Sequence, residues 1–443
     1  MARHRRVIVA AAVLAVLFPP AAPLAAPPED VDPRVAGLVA AVSEERLTAI
    51  LRKLEGFETR HTLSATDSPT RGIGAARQWI LDELRRASPR LEVAFDTYQV
   101  AQQGERIVRD VELRNVVAVL PGRSPRRLYV SGHYDTVARQ PGGAFDWTKA
   151  DNRAPGVDDD GSGTALVLEL ARVFAESGIE FDATLVFVAF AGEEQGLVGA
   201  SLHARKAAEA GTRIDAVLNN DIVGGDHGGH GALESRSVRV FSEGPEDSPS
   251  RQLARAIQRQ AARYVPSQEV RLVARHDRFG RGGDHTPFNQ RGYAAVRFTE
   301  SAENYAHQHT ADDTFEGVSP AYLARNARVN AAALAVLGLA PPAPKVTEER
   351  GRPRLDREPS GYDARLRWEK SPGAVGYRVF WREAWTPDWQ HERTVPDSSE
   401  LVLPDVSIDD YVFGVAALDV LGHESLVSAY VNPSRPEAEI KTR

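Results

Sequence analysis

Residues 183–190 read Ala-Thr-Leu-Val-Phe-Val-Ala-Phe, and no other segment constrains the fold as tightly. Only Thr184 is polar, and the apolar residues run on without the alternation of a strand that has one wet face. A strand buried on both faces needs strands at its sides and helices above and below. The surrounding sequence supplies them. Residues 161–176 and 197–210 place apolar side chains at helical spacing, as do 38–54, 75–84, 250–263 and 320–337. Short apolar runs at 127–132, 216–220 and 294–299 predict further buried strands. The alternating segments 91–100 and 108–120 predict half-buried antiparallel ones. Strands alternating with helices over residues 33–340 predict an α/β domain, a mostly parallel mixed sheet flanked by helices.

Both ends depart from that pattern. Arg3, Arg5 and Arg6 precede an unbroken apolar run over 7–18, and prolines and small residues follow as far as Ala26. That layout predicts a signal peptide at 1–26, because the run is too short to span a bilayer. The expectation is an exported protein, periplasmic or extracellular, with no membrane span in the mature chain. Loss of 1–26 removes three arginines and no acid, taking the formal net charge from −7 to −10. No large basic stripe remains, which argues for no nucleic-acid partner. The chain has no cysteine. In an exported protein this excludes a disulfide framework, a thiol nucleophile and a thiolate metal site. Any metal must be held by His and carboxylates.

Residues 341–348 form a proline-rich linker, after which helical patterns stop. Residues 349–433 carry short alternating strands at 364–368, 376–381, 400–403 and 411–416, a β-sandwich signature. Trp368, the segment GYRVFWR and the segment YVFGVAALDVLGHES resemble a fibronectin type III domain. The resemblance implies either a passive stabilising module or one that binds a polymer or protein partner.

Potential metal ligands fall at related places. His133 and Asp135 follow one predicted strand, Glu193 and Glu194 follow the most apolar strand, and Asp221 follows another. Asp158, Asp159 and Asp160 precede a helix, and His309 follows the last strand across a loop. In an open α/β sheet, sites form beyond the carboxyl ends of the strands, so these segments converge on one sheet edge. Taken singly, each has a plainer explanation. An Asp run suits any helix N-terminus. Read as an EF-hand, the Asp run would put Gly156 at the first ligand position and Val167 at the last, which fails. The glycine loop lacks the lysine of a P-loop. No G-x-S-x-G elbow and no H-E-x-x-H helix is present.

The motifs HYD (133–135), PGVDDDGSG (155–163), FVAFAGEEQGLVGA (187–200), NNDIVG (219–224) and HTADDT (309–314) together resemble the M28 family of zinc peptidases. That family includes bacterial leucyl and broad-specificity aminopeptidases, and the resemblance spans roughly residues 70–340. It implies the zinc exopeptidase fold, two Zn²⁺ per chain and peptide substrates. It also implies the site. Asp159 bridges both metals, with Glu194 and His309 on one and His133 and Asp221 on the other. Glu193 is the general base toward a metal-bridging hydroxide, and Asp135 holds the ring of His133.

The implied activity is metal-dependent exopeptidase action, as an aminopeptidase. The same ligands also serve dizinc carboxypeptidases and dipeptidases, and Arg275, Arg278 and Arg281 would suit recognition of a carboxylate. A glutaminyl cyclase uses the fold with one zinc, against which the five-ligand set argues. A non-catalytic surface-binding protein would not need Glu193 and Glu194 intact. Asp284 and His285 resemble a family segment usually read SDH, here with Gly283 for Ser. They are expected either to line the pocket or to be structural. Tyr305 is expected to pack or to form a pocket wall, and His227 and His230 to lie in a flexible polar loop. The HTxxDT frame favours His309 over His307.

Overall fold

The computed structural model describes residues 31–432, so the segment 1–26 and the last position of 349–433 lie outside the described residues. The long sheet contains β1 (Glu92–Val100), β2 (Val111–Leu120), β3 (Ser124–His133), β4 (Ala183–Phe190), β5 (Ile214–Asn220), β6 (Ser237–Ser242), β7 (Glu269–Val273) and β8 (Ala295–Glu300). Their order is β1-β2-β4-β3-β5-β8-β6-β7. The central four, β4-β3-β5-β8, are parallel to one another. β2 joins β4 antiparallel and β6 joins β8 antiparallel, so the sheet is mixed. All eight residues of β4 are buried, as their composition requires.

The covering helices are α1 (Pro33–Ala40), α2 (Glu44–Glu55), α3 (Gly72–Ala87), α4 (Gly161–Glu176), α5 (Val198–Glu209), α6 (Pro249–Tyr264), α7 (Thr286–Asn289) and α8 (Pro320–Leu339). One face packs α4 and α8 on the central strands, backed by α1, α2, α3 and α6, around Leu51, Phe174, Leu185 and Leu334. The other face is a smaller core in which Phe190, Val186 and Tyr129 meet Phe288 of α7 and Ala200 and Ala204 of α5.

The helical pattern at 38–54 resolves into two helices. Ser43 breaks it, because its hydroxyl accepts from Arg46 N at 3.2 Å and caps α2. The Ser43 amide donates to the buried Glu169 at 2.8 Å. Strands β6 and β7 carry no sequence signal strong enough to predict them: Arg239, Glu269 and Arg271 interrupt their apolar residues. Their place at one end of the sheet tolerates those charges.

Beyond α8 the chain forms β9 (Leu355–Arg357), β10 (Ala364–Arg367), β11 (Gly376–Glu383), β12 (His391–Pro396), β13 (Glu400–Leu403), β14 (Tyr411–Leu418) and β15 (Ser428–Ala429). Two antiparallel sheets, β13-β10-β9 and β12-β11-β14-β15, enclose Leu366, Trp368, Tyr377, Val379, Leu403 and Phe413. This β-sandwich leans on α6. Arg382 meets Asp247 at 2.5 Å, Trp389 donates to Gln252 at 3.2 Å, and Arg259 pairs with Glu424. His423 sits 2.7 Å from both Asp419 and Asp32, which ties the sandwich to the cap of α1.

One buried cation organises the approach to the sheet edge. Arg60 is fully buried and donates to the carbonyls of Tyr134 (2.7 Å), Leu54 (3.2 Å), Pro155 (2.5 Å) and Gly156 (2.8 Å). It thereby fastens the loop that carries Asp158, Asp159 and Asp160 to α2 and to the end of β3. Methionine at this position would fill the volume and strand four buried acceptors. Arg60→Met should lower stability by at least about 2 kcal/mol, since each hydrogen bond from a charged donor is worth about 1.5–3 kcal/mol. Urea denaturation followed by circular dichroism reads this, and an unchanged midpoint would refute it.

Candidate metal centre

The carboxyl ends of β3, β4 and β5 and the N-terminus of α4 meet at one point, and close packing of glycine makes that possible. A Cβ on Gly132 would sit 2.7 Å from the Gly163 backbone, and one on Gly163 would sit 2.2 Å from the Asn220 carbonyl oxygen. α4 therefore enters almost against the strand ends. Asp160 caps it, with Oδ1 accepting from Gly163 N at 2.9 Å. The same carboxylate accepts from His133 N (2.8 Å) and Ile222 N (3.2 Å), pinning the ends of β3 and β5 to the helix.

Asp159 projects into the space so defined. Its Oδ1 lies 3.3 Å from His133 Nε2 and its Oδ2 lies 3.0 Å from His309 Nε2. His133 Nε2 is also 3.9 Å from Asp221 Oδ1, and His309 Nε2 is 3.3 Å from Glu194 Oε1. Two donor sets result, His133–Asp159–Asp221 and Asp159–Glu194–His309, each with its ligand atoms within 4.8 Å of one another. Asp159 belongs to both. His309 reaches the cluster from a loop in which its own backbone is left-handed, at φ 55°. His307 lies outside both sets, beside a separate small cavity near Asp158 and Glu300.

The donors are held from behind. His133 Nδ1 is 3.1 Å from the Asp135 carbonyl oxygen, which can only accept. The proton therefore sits on Nδ1, and Nε2 keeps its lone pair toward the cluster. The Asp135 carboxylate stands farther from the ring, at 3.7 Å. It accepts instead from the amides of Glu193 (3.1 Å) and Glu194 (3.2 Å) and from the Thr62 hydroxyl (3.3 Å). The expected ring-holding role thus falls to the backbone of Asp135, while its side chain shapes the turn after β4. Asp313 accepts from the amides of Asp158 (2.9 Å) and Asp159 (3.0 Å). Arg297 is fully buried and lies 2.8 Å from Asp221 and 3.1 Å from Asp277.

Neither Arg297 nor Asp313 stands out in the sequence as a site residue. The signal for Arg297 was present, since it stands inside the otherwise uncharged run 294–299. A cation in a buried strand needs an anion beside it.

Glu193 borders the same cavity. Burial raises its carboxyl well above the usual carboxylate range, and Asp221, Glu194 and Asp284 add to this against the opposing pull of His133. Four carboxylates, Asp159, Glu193, Glu194 and Asp221, thus crowd a site with two imidazoles. Glu194 Oε1 and His309 Nδ1 are buried without a hydrogen-bond partner. Such a set of imidazole nitrogens and carboxylate oxygens, carrying excess negative charge, fits zinc.

Other residues flagged by sequence fall elsewhere. Asp284 and His285 are buried behind the site and do not line its cavity. The Asp284 oxygens have no hydrogen-bond partner, and burial pushes its carboxyl up to about 8, a shift His133 opposes and Asp135 and Asp221 reinforce. Tyr305 is exposed, donates to Glu303 and forms no wall of the cavity. His227 is paired with Asp226 at 2.6 Å.

The turn geometry makes a specific prediction. Asn at 135 offers one acceptor oxygen and turns an NH₂ group toward one of the two glutamate amides. Asp135→Asn should weaken zinc binding about 10- to 100-fold, the usual cost of losing a residue that orients ligands. Competition against a chromogenic chelator measures this, and unaltered affinity would show that the turn forms without the carboxylate.

Comparison with known proteins gives the family. A family model described as Peptidase family M28 matches residues 115–334. A probable zinc metalloprotease of Pyricularia oryzae is 39% identical over 425 residues, covering 87% of this chain and 82% of that protein. The fold is similar to that of the Legionella pneumophila LapA aminopeptidase, with TM-score 0.54, 17% identity, and 69% and 75% of the two chains covered. It is also similar to Porphyromonas gingivalis glutaminyl cyclase, with TM-score 0.53, 18% identity, and 66% and 98% covered. With its Asp159-centred donor sets and this relationship, the chain belongs to peptidase family M28 and is a zinc metallopeptidase.

Proposed function

We propose that the protein is a two-zinc exopeptidase that releases single residues from the N-termini of peptides. The observation that carries this is the position of Asp159, whose two oxygens face the two halves of a five-residue donor set. His133 and Asp221 would hold one zinc, Glu194 and His309 the other, and Asp159 both. Zinc so bound polarises the scissile carbonyl and makes water a nucleophile near neutral pH.

The remaining work belongs to the side chains. Glu193 lies in the cavity wall without being one of the donors, and its amide is fixed by Asp135. Its carboxylate takes the proton from the attacking water and returns it to the leaving amine. The cavity is about 380 Å³, with Phe145, Trp147 and Leu197 providing apolar wall that limits water around the reacting atoms.

Support for action at the N-terminus comes from the fold shared with the LapA aminopeptidase. A dizinc carboxypeptidase or dipeptidase is the second reading, favoured by the arginines at the cavity mouth. The sandwich, with three strands in one sheet and four in the other, supports a fibronectin type III-like assignment for residues 349–433. Residues 1–26 support export to the periplasm or beyond.

The test is turnover of peptides with free or blocked termini by the purified mature protein, with zinc content measured by mass spectrometry. Release from free N-termini should stop on chelation, and two zincs per chain should be found. Glu193→Gln should keep both metals and lose about 10²- to 10⁴-fold in kcat, the range for a general base. Release from free C-termini alone would move the assignment to a carboxypeptidase. Absence of both metal and turnover would remove the enzymatic reading.

A further inference from the structure

The mouth of the metal cavity carries charge of the opposite sign to its floor. Arg106, Arg139, Arg278 and Arg281 all line it. Arg278 is neutralised by Glu303 and by Asp277 at 3.6 Å. For Arg106, Arg139 and Arg281 there is no carboxylate within 4.0 Å among the described residues. Arg275, on the same loop as Arg281, turns away and stacks on Phe279.

Two of these guanidiniums lie over aromatic rings. Phe145 and Trp147 stack on each other at 5.3 Å with 21° between planes. Arg139 lies over Phe145, 5.2 Å from the ring centroid, and Arg106 over Trp147, 5.3 Å from its centroid. Arg106 is fixed further by donating to the Glu194 carbonyl oxygen at 3.0 Å. The edge of Phe145 meets the ring of His309 at 5.6 Å, so this ladder adjoins the metal donors directly. A guanidinium steadied over an aromatic ring still has N–H donors to offer, and its fork matches a carboxylate through two parallel hydrogen bonds.

The charge balance points the same way. Two divalent cations would offset the floor carboxylates Asp159, Glu193, Glu194 and Asp221, leaving the three arginines in excess. Like charges around one cavity of about 380 Å³ repel each other, and an anion among them relieves that repulsion. The chain as a whole is acidic, at −7, so general surface charge does not explain the cluster.

We propose that the Arg139–Phe145–Trp147–Arg106 ladder, with Arg281, is a carboxylate-binding subsite. The preferred substrates are then short peptides bearing a carboxylate within one or two residues of the scissile bond. This rests on the exopeptidase reading and deepens it. The carboxylate has two sources, an Asp or Glu side chain or the free C-terminus of a dipeptide or tripeptide.

Matched peptides separate the sources. Leu-Glu-amide against Leu-Gln-amide tests the side chain, and Leu-Gln acid against Leu-Gln-amide tests the terminus. In at least one pair the zinc-loaded enzyme should favour the carboxylate in kcat/KM by about tenfold, as befits a charge-assisted contact. That preference should shrink as salt screens it. The doubly substituted Arg139→Gln, Arg281→Gln enzyme should lose it while retaining turnover of the neutral peptide. Arg106 is left intact because it also holds the Glu194 backbone. Equal kcat/KM within both pairs would overturn the inference, as would a preference that survives the double substitution. Calorimetric binding of the same peptides to zinc-loaded Glu193→Gln keeps the two readings apart. Carboxylate-selective binding without turnover by the parent enzyme would sink the exopeptidase reading alone. Unselective binding would sink the subsite.

Discussion

The Asp160 carboxylate is the contact on which the rest of the site depends. It accepts from three backbone amides belonging to β3, α4 and the segment after β5. Backbone amides at strand ends and at a helix N-terminus are left unpaired by the regular structure itself. One buried anion satisfies all three and sets the distance between three elements. Once β3, α4 and β5 are locked together, His133, Asp159 and Asp221 have little freedom left in where they point.

The three successive aspartates divide the labour because the chain turns sharply between them. Asp158 accepts from Gly224 N at 2.9 Å and so ties down the segment after β5. Asp159 faces the cavity, and Asp160 faces the backbone. Asp313 holds the amides of the first two in place. So many carboxylates in one buried region oppose folding through desolvation and mutual repulsion. Arg60 and Arg297 are the buried countercharges nearest at hand, and neither enters the metal-donor sets. The structure thus places these two buried cations behind the donor sets and leaves the space among the donors to a metal.

The β-sandwich takes part in this scaffold at a distance. It rests on α6 and on the cap of α1, and no residue of it lines the metal cavity among those described. α6 in turn packs against α8, which backs the central strands. The sandwich therefore touches the layer beneath the sheet and not the donor residues.

Much of this was legible in the residues. The continuous apolar run 183–190 dictated a doubly covered strand, and α4 and β4 fall on the residues their patterns marked out. The ligand motifs lie next to strand ends, and strand ends converge in any sheet of this class, so local sequence was enough to bring His133, Asp159, Glu194, Asp221 and His309 together. Strands β6 and β7 escaped, because Arg239, Glu269 and Arg271 break up the apolar pattern that would mark them. Asp135 meets the ring of His133 more closely through its carbonyl than through its carboxylate, and a two-residue spacing does not say which of a residue's acceptors will do so. Arg106 and Arg139 lie on connections whose paths are set by what they pack against. Hydrophobic period and motif spacing are properties of neighbouring residues, and they determined the sheet and its donor edge. Which arginines face the cavity depends on contacts, aromatic ones among them, that exist only after the loops have folded over that edge.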